Sequence, residues 1–301
     1  MRPLVSTIIP AHNGQRTVRQ AIESALAQTG VRGGLEVIVV DDGSTDSTSA
    51  ILAEYGTRIR SVRQTNSGVS AAINRGVSES RAEFVAFLHD DDYWLPGKLQ
   101  AVLAAFDSDP RAGLVFSNYR TVDRDDGHPL GDVTFAHAPS LEEMFRILEC
   151  VGPPSGVTMR RQLFDACHGF DRRLTWGEDI DLWLRARQSA LFALVPQTLW
   201  TYRKRTRLDV HDLRYPLAMR TAFEHVMREH FGPRARRLIA HTRDERAAIL
   251  LALGLGQLDA GDRRAAIRTF TELMRYRPTY PIRKLSPSRL FSIRNLRRLF
   301  G

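Results

Sequence analysis

Cysteine is scarce in this chain: Cys150 and Cys167 are the only two among 301 residues, which excludes a disulfide framework. No apolar run approaches the roughly 18 residues that a membrane-spanning helix needs. Nor does an apolar targeting segment precede the strand-like "LVSTIIP" at residues 4–10, so a reducing, cytoplasmic setting is expected. Acidic residues are missing from Leu273 onward, where eight basic ones gather (Arg275, Arg277, Arg283, Lys284, Arg289, Arg294, Arg297 and Arg298). Without that stretch the net charge of +9 falls to about +1 for residues 1–272, too near neutral for a duplex-binding stripe. Nucleic acid is therefore not an expected partner.

What the chain does have is 43% hydrophobic residues, enough for a large core. The first half alternates "LVSTIIP", "LEVIVV", "RIRSVRQ" and "EFVAFL" with helix-like spacings such as Val18, Ala21, Ile22, Ala25 and Leu26. Strands apolar on both faces and separated by helices read as a parallel α/β sheet. Ligands of such sheets sit beyond the carboxyl ends of the strands. The polar segments "AHNGQ", "DDGSTDS", "TNSGVS" and "HDDDYW" follow the four runs in turn, so four loops are expected on one rim.

Each loop has a structural and a chemical reading. In "VVDDGSTDST", Gly43 suits a turn and Ser44 or Asp46 a helix cap. Asp41, directly after a buried strand, is placed to accept from a planar base or a ribose hydroxyl. "QTNSGVSAAINRGV" reads as a loop-to-helix junction capped by Ser67 or Ser70, whose helix N-terminus on the rim favours phosphate. Three adjacent carboxylates, Asp90, Asp91 and Asp92, repel one another, and a hard divalent cation shared with phosphate oxygens relieves that repulsion. His89 beside them reads either as a fourth ligand or, as is commoner for a lone His next to acids, as a hydrogen-bonded neighbour. Glu178 and Asp179 open a helix, where they serve either as capping acids or, between Trp176 and Trp183, as a general base with its neighbour.

Taken together, "VSTIIPAHNGQRTVRQAIESALAQT", "LEVIVVDDGSTDST", "NSGVSAAINRGV", "FVAFLHDDDYWLPGKL", "HGFDRRL" and "GEDIDLWLRA" resemble, in order and spacing, the family 2 glycosyltransferases of GT-A fold. The resemblance covers about residues 4 to 205. It implies a mostly parallel, Rossmann-like nucleotide-diphospho-sugar transferase sheet with helices on both faces. It also implies inverting transfer of a sugar from a nucleotide-diphosphate donor, with UDP expected, to an acceptor hydroxyl, assisted by Mn²⁺ or Mg²⁺. Carried over by position, Pro10, His12, Asn13, Asp41, Asp42, Asn66, Gly68, Asn74, Asp90 and Asp91 are expected on the nucleotide. Asp91 and Asp92 are expected on the metal, Asp179 as the base with Glu178 its neighbour. Trp176, Gly177, Arg203 and Arg205 are assigned to acceptor or diphosphate. The chain departs from the family with His89 for an Asp, His12 for an aromatic, Ile73 for an Arg, and Arg205 for a His. These departures keep a non-catalytic sugar-nucleotide or glycan binder open as an alternative, with a nucleotidyltransferase behind it.

The expected organisation is a GT-A domain over residues 1–206, divided into a nucleotide-sugar half (1–118) and an acceptor half (119–206). A helical extension (207–275) and a basic amphipathic tail (276–301) follow. Residues 119–140 are polar and read as a loop or an insertion. "LGQLDAGDRRAAIRTFTELMRYRP" faintly resembles half of a tetratricopeptide unit and, as a single copy, reads as a helical hairpin. In the tail, Leu290, Ile293, Leu296 and Phe300 among arginines fit either a packed basic end or an interfacial helix on anionic lipid. The latter would suit a glycan acceptor carried on lipid, in the assembly of a surface polysaccharide.

Overall fold

Branched and aromatic side chains on both faces of a strand can be buried only inside a covered sheet, and the first-half apolar runs behave accordingly. The computed structural model describes residues 3–146, 150–204, 214–259 and 261–277. In it β1 (Val5–Ala11), β2 (Leu35–Asp42), β3 (Arg60–Gln64) and β4 (Phe84–Phe87) alternate with α1 (Val18–Leu26), α2 (Thr48–Glu54) and α3 (Val69–Glu79). The four strands pair in parallel in the order β3-β2-β1-β4, so Ala11, Asp42, Gln64 and Phe87 end on one rim. Every residue of β1 is buried, whereas β3, at the end of the order, is largely exposed. Helix α3 lies close against the sheet because Gly76 lacks a side chain; a Cβ there would collide with the Ile8 side chain.

The second half completes the sheet. It contains β5 (Tyr93–Trp94), α4 (Lys98–Ser108), β6 (Ala112–Asp123), β7 (Pro129–Val133), α5 (Leu141–Met144), β8 (Thr158–Arg160), α6 (Arg161–Ala166), α7 (Glu178–Arg187) and β9 (Leu191–Lys204). The order continues β4-β8-β6-β9-β5, with β6 and β9 parallel and the β4/β8, β6/β8, β5/β9 and β6/β7 pairs antiparallel. The sheet is thus parallel up to β4 and mixed beyond it. Residues 119–140, expected to be a loop or insertion, instead hold the end of β6 and its hairpin partner β7. Arg120 faces Asp132 across that pair at 3.1 Å, both exposed. A hairpin with its side chains in water needs no apolar signature, which is why composition alone hid it.

The described residues fall into two compact units, divided after residue 206. The second contains α8 (Arg214–Phe231), α9 (Arg236–Asp259) and α10 (Arg263–Tyr276). Asp262 caps α10 by accepting from the Ala265 N–H at 3.0 Å. Leu250, Leu251, Phe270 and Leu273 form the core between α9 and α10, as the helical-hairpin reading expects. Arg205 and the predicted amphipathic segment from Leu290 to Phe300 lie outside the described residues. No helix among the described residues is long and apolar enough to cross a membrane.

Candidate active site

The first two rim loops are laced together by side chains that satisfy the backbone N–H groups left free where strands end. Asn13, held at φ 52°, accepts the Thr45 N–H at 2.8 Å on its amide oxygen, and its own N–H donates to Ser44 Oγ at 3.0 Å. Gln15 adds two bonds across the same gap, its N–H donating to Asp46 Oδ2 and its Oε1 accepting the Ser47 N–H, both at 3.1 Å. His12 Nδ1 lies 2.8 Å from the Asp42 carbonyl, and Asn66 Nδ2 lies 3.1 Å from His12 Nε2, so the exposed His12 and Asn66 stand side by side. Pro10 is buried in β1 opposite Val40.

The paired acids at the end of β2 bond to neighbouring protein groups. Asp41 is 1% exposed and accepts from Ser44 N and Ser49 Oγ, with Arg63 Nη1 at 3.2 Å. Burial pushes its carboxyl upward, but those hydrogen bonds and Arg63 outweigh it and hold it below its usual value. Asp42 accepts from Gln64 Nε2, Ser67 N and Gly68 N at 2.8 to 2.9 Å, which fixes the loop leading into α3. Asn74 also bonds within the protein. Its amide forms a two-way pair with the Phe170 backbone, donating to the carbonyl at 2.8 Å and accepting the N–H at 2.9 Å. The amide expected on the nucleotide is therefore taken up by the segment that leads to α7, and Ser70 Oγ adds a bond to the Leu174 carbonyl at 3.0 Å.

The acidic loop after β4 is built around Asp92. It is fully buried, accepting the Arg203 N–H on Oδ1 at 2.9 Å and the Ser155 hydroxyl on Oδ2 at 2.5 Å. Burial first, and then Asp91, push its carboxyl well above the ordinary range. Asp90 accepts the His12 N–H at 3.1 Å and is raised to about 7 by burial and by Asp91. Asp91 is more open, with Arg124 Nε at 3.7 Å. His89 donates its backbone N–H to Ser155 Oγ at 3.0 Å, yet its buried Nε2 has no hydrogen-bond partner among the described residues. An unsatisfied ring nitrogen beside carboxylates is the donor atom that the ligand reading of His89 requires. One ligand atom each from His89, Asp91 and Asp92 lies within 4.8 Å of the others, a donor set able to hold a divalent cation.

Two residues that motif spacing did not single out organise this loop. Ser155 joins His89, Asp92 and, through its carbonyl, Trp94 Nε1 at 2.8 Å. The only hint of it is the small-residue run "PPSG", whose Gly156 leaves room for the Trp200 indole. Arg124 had no signal at all. Arg203, expected at the acceptor or diphosphate, braces the loop here: Nη1 donates to the Asp91 carbonyl at 2.7 Å and Nη2 to Gln20 Oε1 at 2.5 Å.

Glu178 and Asp179 open α7 after Gly177, whose φ of 72° favours a residue without a Cβ. Trp176, just ahead, is half-buried. Glu178 is 8% exposed, and burial first, then Asp179, raise it to about 8. The helix is locked from below by buried Asp181, which pairs with Arg185 Nη2 at 2.5 Å; Arg185 also donates to the carbonyls of Cys167 and Gly169. Trp183 of α7 packs on Phe87 at the end of β4, ring centroids 6.2 Å apart. Tyr202 of β9 reports the convergence: its hydroxyl is pushed up by burial and by the charges of Asp92, Asp91 and Asp179 together.

The glycosyl transferase family 2 model matches residues 6–166. An uncharacterized glycosyltransferase of Rickettsia typhi is 31% identical over 215 residues, which make up 70% of this chain and 65% of that protein. The chain thus spans less than two thirds of that relative's length. Among solved structures, residues 1–349 of TarS from S. aureus in complex with UDP-GlcNAc share the fold with a TM-score of 0.59 at 19% identity, over 92% of this chain and 81% of that one. The mannosyltransferase PcManGT from Pyrobaculum calidifontis, in complex with GDP-Man and Mn²⁺, gives 0.59 at 20% identity, over 92% and 82%. With GT-A-like neighbours in fold and a family model covering more than half its length, this chain belongs to glycosyl transferase family 2.

Proposed function

We propose that the chain is an inverting glycosyltransferase that moves a sugar from a nucleoside-diphosphate donor to a hydroxyl of a glycan or lipid-linked acceptor in surface polysaccharide assembly. UDP-sugars are the first donors to test, since TarS was solved with UDP-GlcNAc; PcManGT with GDP-Man makes GDP-sugars the second. The observation that carries the reading is that Asp91 and Asp92, from the loop after β4, and Asp179, from the start of α7, all act on one phenol, Tyr202. That all three charges bear on one phenol supports the reading in which donor-side and acceptor-side carboxylates face a common site.

The exposed His12 and Asn66, backed by Asn13 and Asp42, provide the surface on which a base and ribose are oriented. His89, Asp91 and Asp92 would hold a divalent cation, which when bound offsets the charge that grows on the leaving diphosphate. Asp179 takes the proton of the acceptor hydroxyl as its oxygen attacks the anomeric carbon from the face opposite the diphosphate, so one displacement inverts the centre. Glu178, raised to about 8, stays protonated at neutral pH and leaves Asp179 as the acceptor of that proton. Asp179→Asn is expected to retain fluorescent UDP binding and to lose at least about 100-fold in transfer, the low end of a general-base contribution. Transfer at the wild-type rate by this variant would remove Asp179 from the mechanism.

A further inference from the structure

The cation part of the function proposed above leaves open which ion the site prefers, and the donor atoms bear on that. We infer that His89 is a direct ligand through Nε2, so that the site is a mixed imidazole and carboxylate site that selects Mn²⁺ and related transition ions over Mg²⁺. Three observations carry this. His89 Nε2 is buried and lacks a partner among the described residues, whereas the neighbouring Asp92 oxygens each receive a hydrogen bond. A ring nitrogen of His89, Nδ1 or Nε2, lies within 4.8 Å of ligand oxygens of both Asp91 and Asp92. Finally, the His89 backbone N–H donates to Ser155 Oγ, which in turn donates to Asp92, so one hydroxyl ties the His89 backbone to an oxygen ligand.

The chemistry of the donor set gives the selectivity. Mg²⁺ demands hard oxygen ligands and gives up water reluctantly, so a site offering it a nitrogen loses one of its few useful contacts. Imidazole suits transition ions, and for Mn²⁺ the mixed set is acceptable while Co²⁺ gains more. An Asp at position 89 would return an all-oxygen site that treats Mg²⁺ and Mn²⁺ more evenly. His89 thereby sets the ion preference of the site, while Asp91 and Asp92 supply its charge.

The test uses the full chain with Mn²⁺, in the presence of UDP and separately of GDP, and reads binding rather than turnover. Pulsed EPR of bound Mn²⁺ is expected to show nitrogen coupling in the wild type that disappears in His89→Gln and His89→Asp. Competition by Mg²⁺ is expected to need about 10-fold less Mg²⁺ in His89→Asp than in the wild type, the low end of the effect of altering a metal's ligand environment. Bound Mn²⁺ without nitrogen coupling in the wild type overturns the inference and leaves the cation-assisted function standing. Coupling that survives in both variants assigns the nitrogen elsewhere and also overturns it. No Mn²⁺ binding with either nucleotide removes the inference and the cation role together, while Asp179-dependent transfer stays separately testable. Circular dichroism of both variants excludes misfolding as the source of a lost signal.

Discussion

Glu178→Gln isolates the electrostatic cost of placing an acid at the buried start of α7. Burial, and then the Asp179 charge, raise the carboxyl from an ordinary 4.5 to about 8. The native state therefore holds a proton that the unfolded chain releases above about pH 4.5, so it binds more protons than the unfolded state across that window. Stability must fall as pH rises from about 4.5 to about 8, and stay at its reduced level above. At roughly 1.4 kcal/mol per unit, the ceiling on that loss is about 5 kcal/mol, and local relaxation around the ion is expected to leave at least about 2. Glutamine keeps the shape and never ionises, so the variant escapes the loss. Melting temperatures of both proteins, measured from pH 5 to 9, should diverge by about 4 to 8 °C, with the variant higher at alkaline pH. A gap that stays constant across that range would refute the assignment of a buried, proton-bearing Glu178.

Two further outcomes follow from the supports beneath the site. Asp181→Ala leaves the Arg185 guanidinium, 17% exposed, without its carboxylate and should cost about 3 to 5 kcal/mol in urea unfolding of the purified protein; a midpoint within error of wild type would contradict the buried pair. Asn74→Ala strips both partners from the Phe170 backbone, at about 1 to 3 kcal/mol, and loosens the segment leading to Glu178 and Asp179. We expect kcat to fall while the affinity for fluorescent UDP holds, whereas a weakened nucleotide with unchanged kcat would return Asn74 to the nucleotide, as the resemblance implied.

Local pattern determined a good deal of this protein. The four apolar runs became β1 to β4, the Gly177 break became the start of α7, and the polar loops after the strands reached one rim. Each of these follows from short-range rules: apolar faces demand cover, a glycine permits a left-handed turn, and parallel strands send their carboxyl ends the same way. Tertiary structure decided what those rules do not reach. Asn74 meets Phe170 across 96 positions, and Ser155 meets Asp92 across 63. The β7 strand of the hairpin is almost wholly exposed, and β9 joins β6 in parallel from the far end of the domain. His89 illustrates the difference best, because its identity is local whereas the lack of a partner for Nε2 depends on every element packed around it. A side chain's chemistry travels with the sequence; which of its atoms remain unsatisfied is settled only when distant segments close over it.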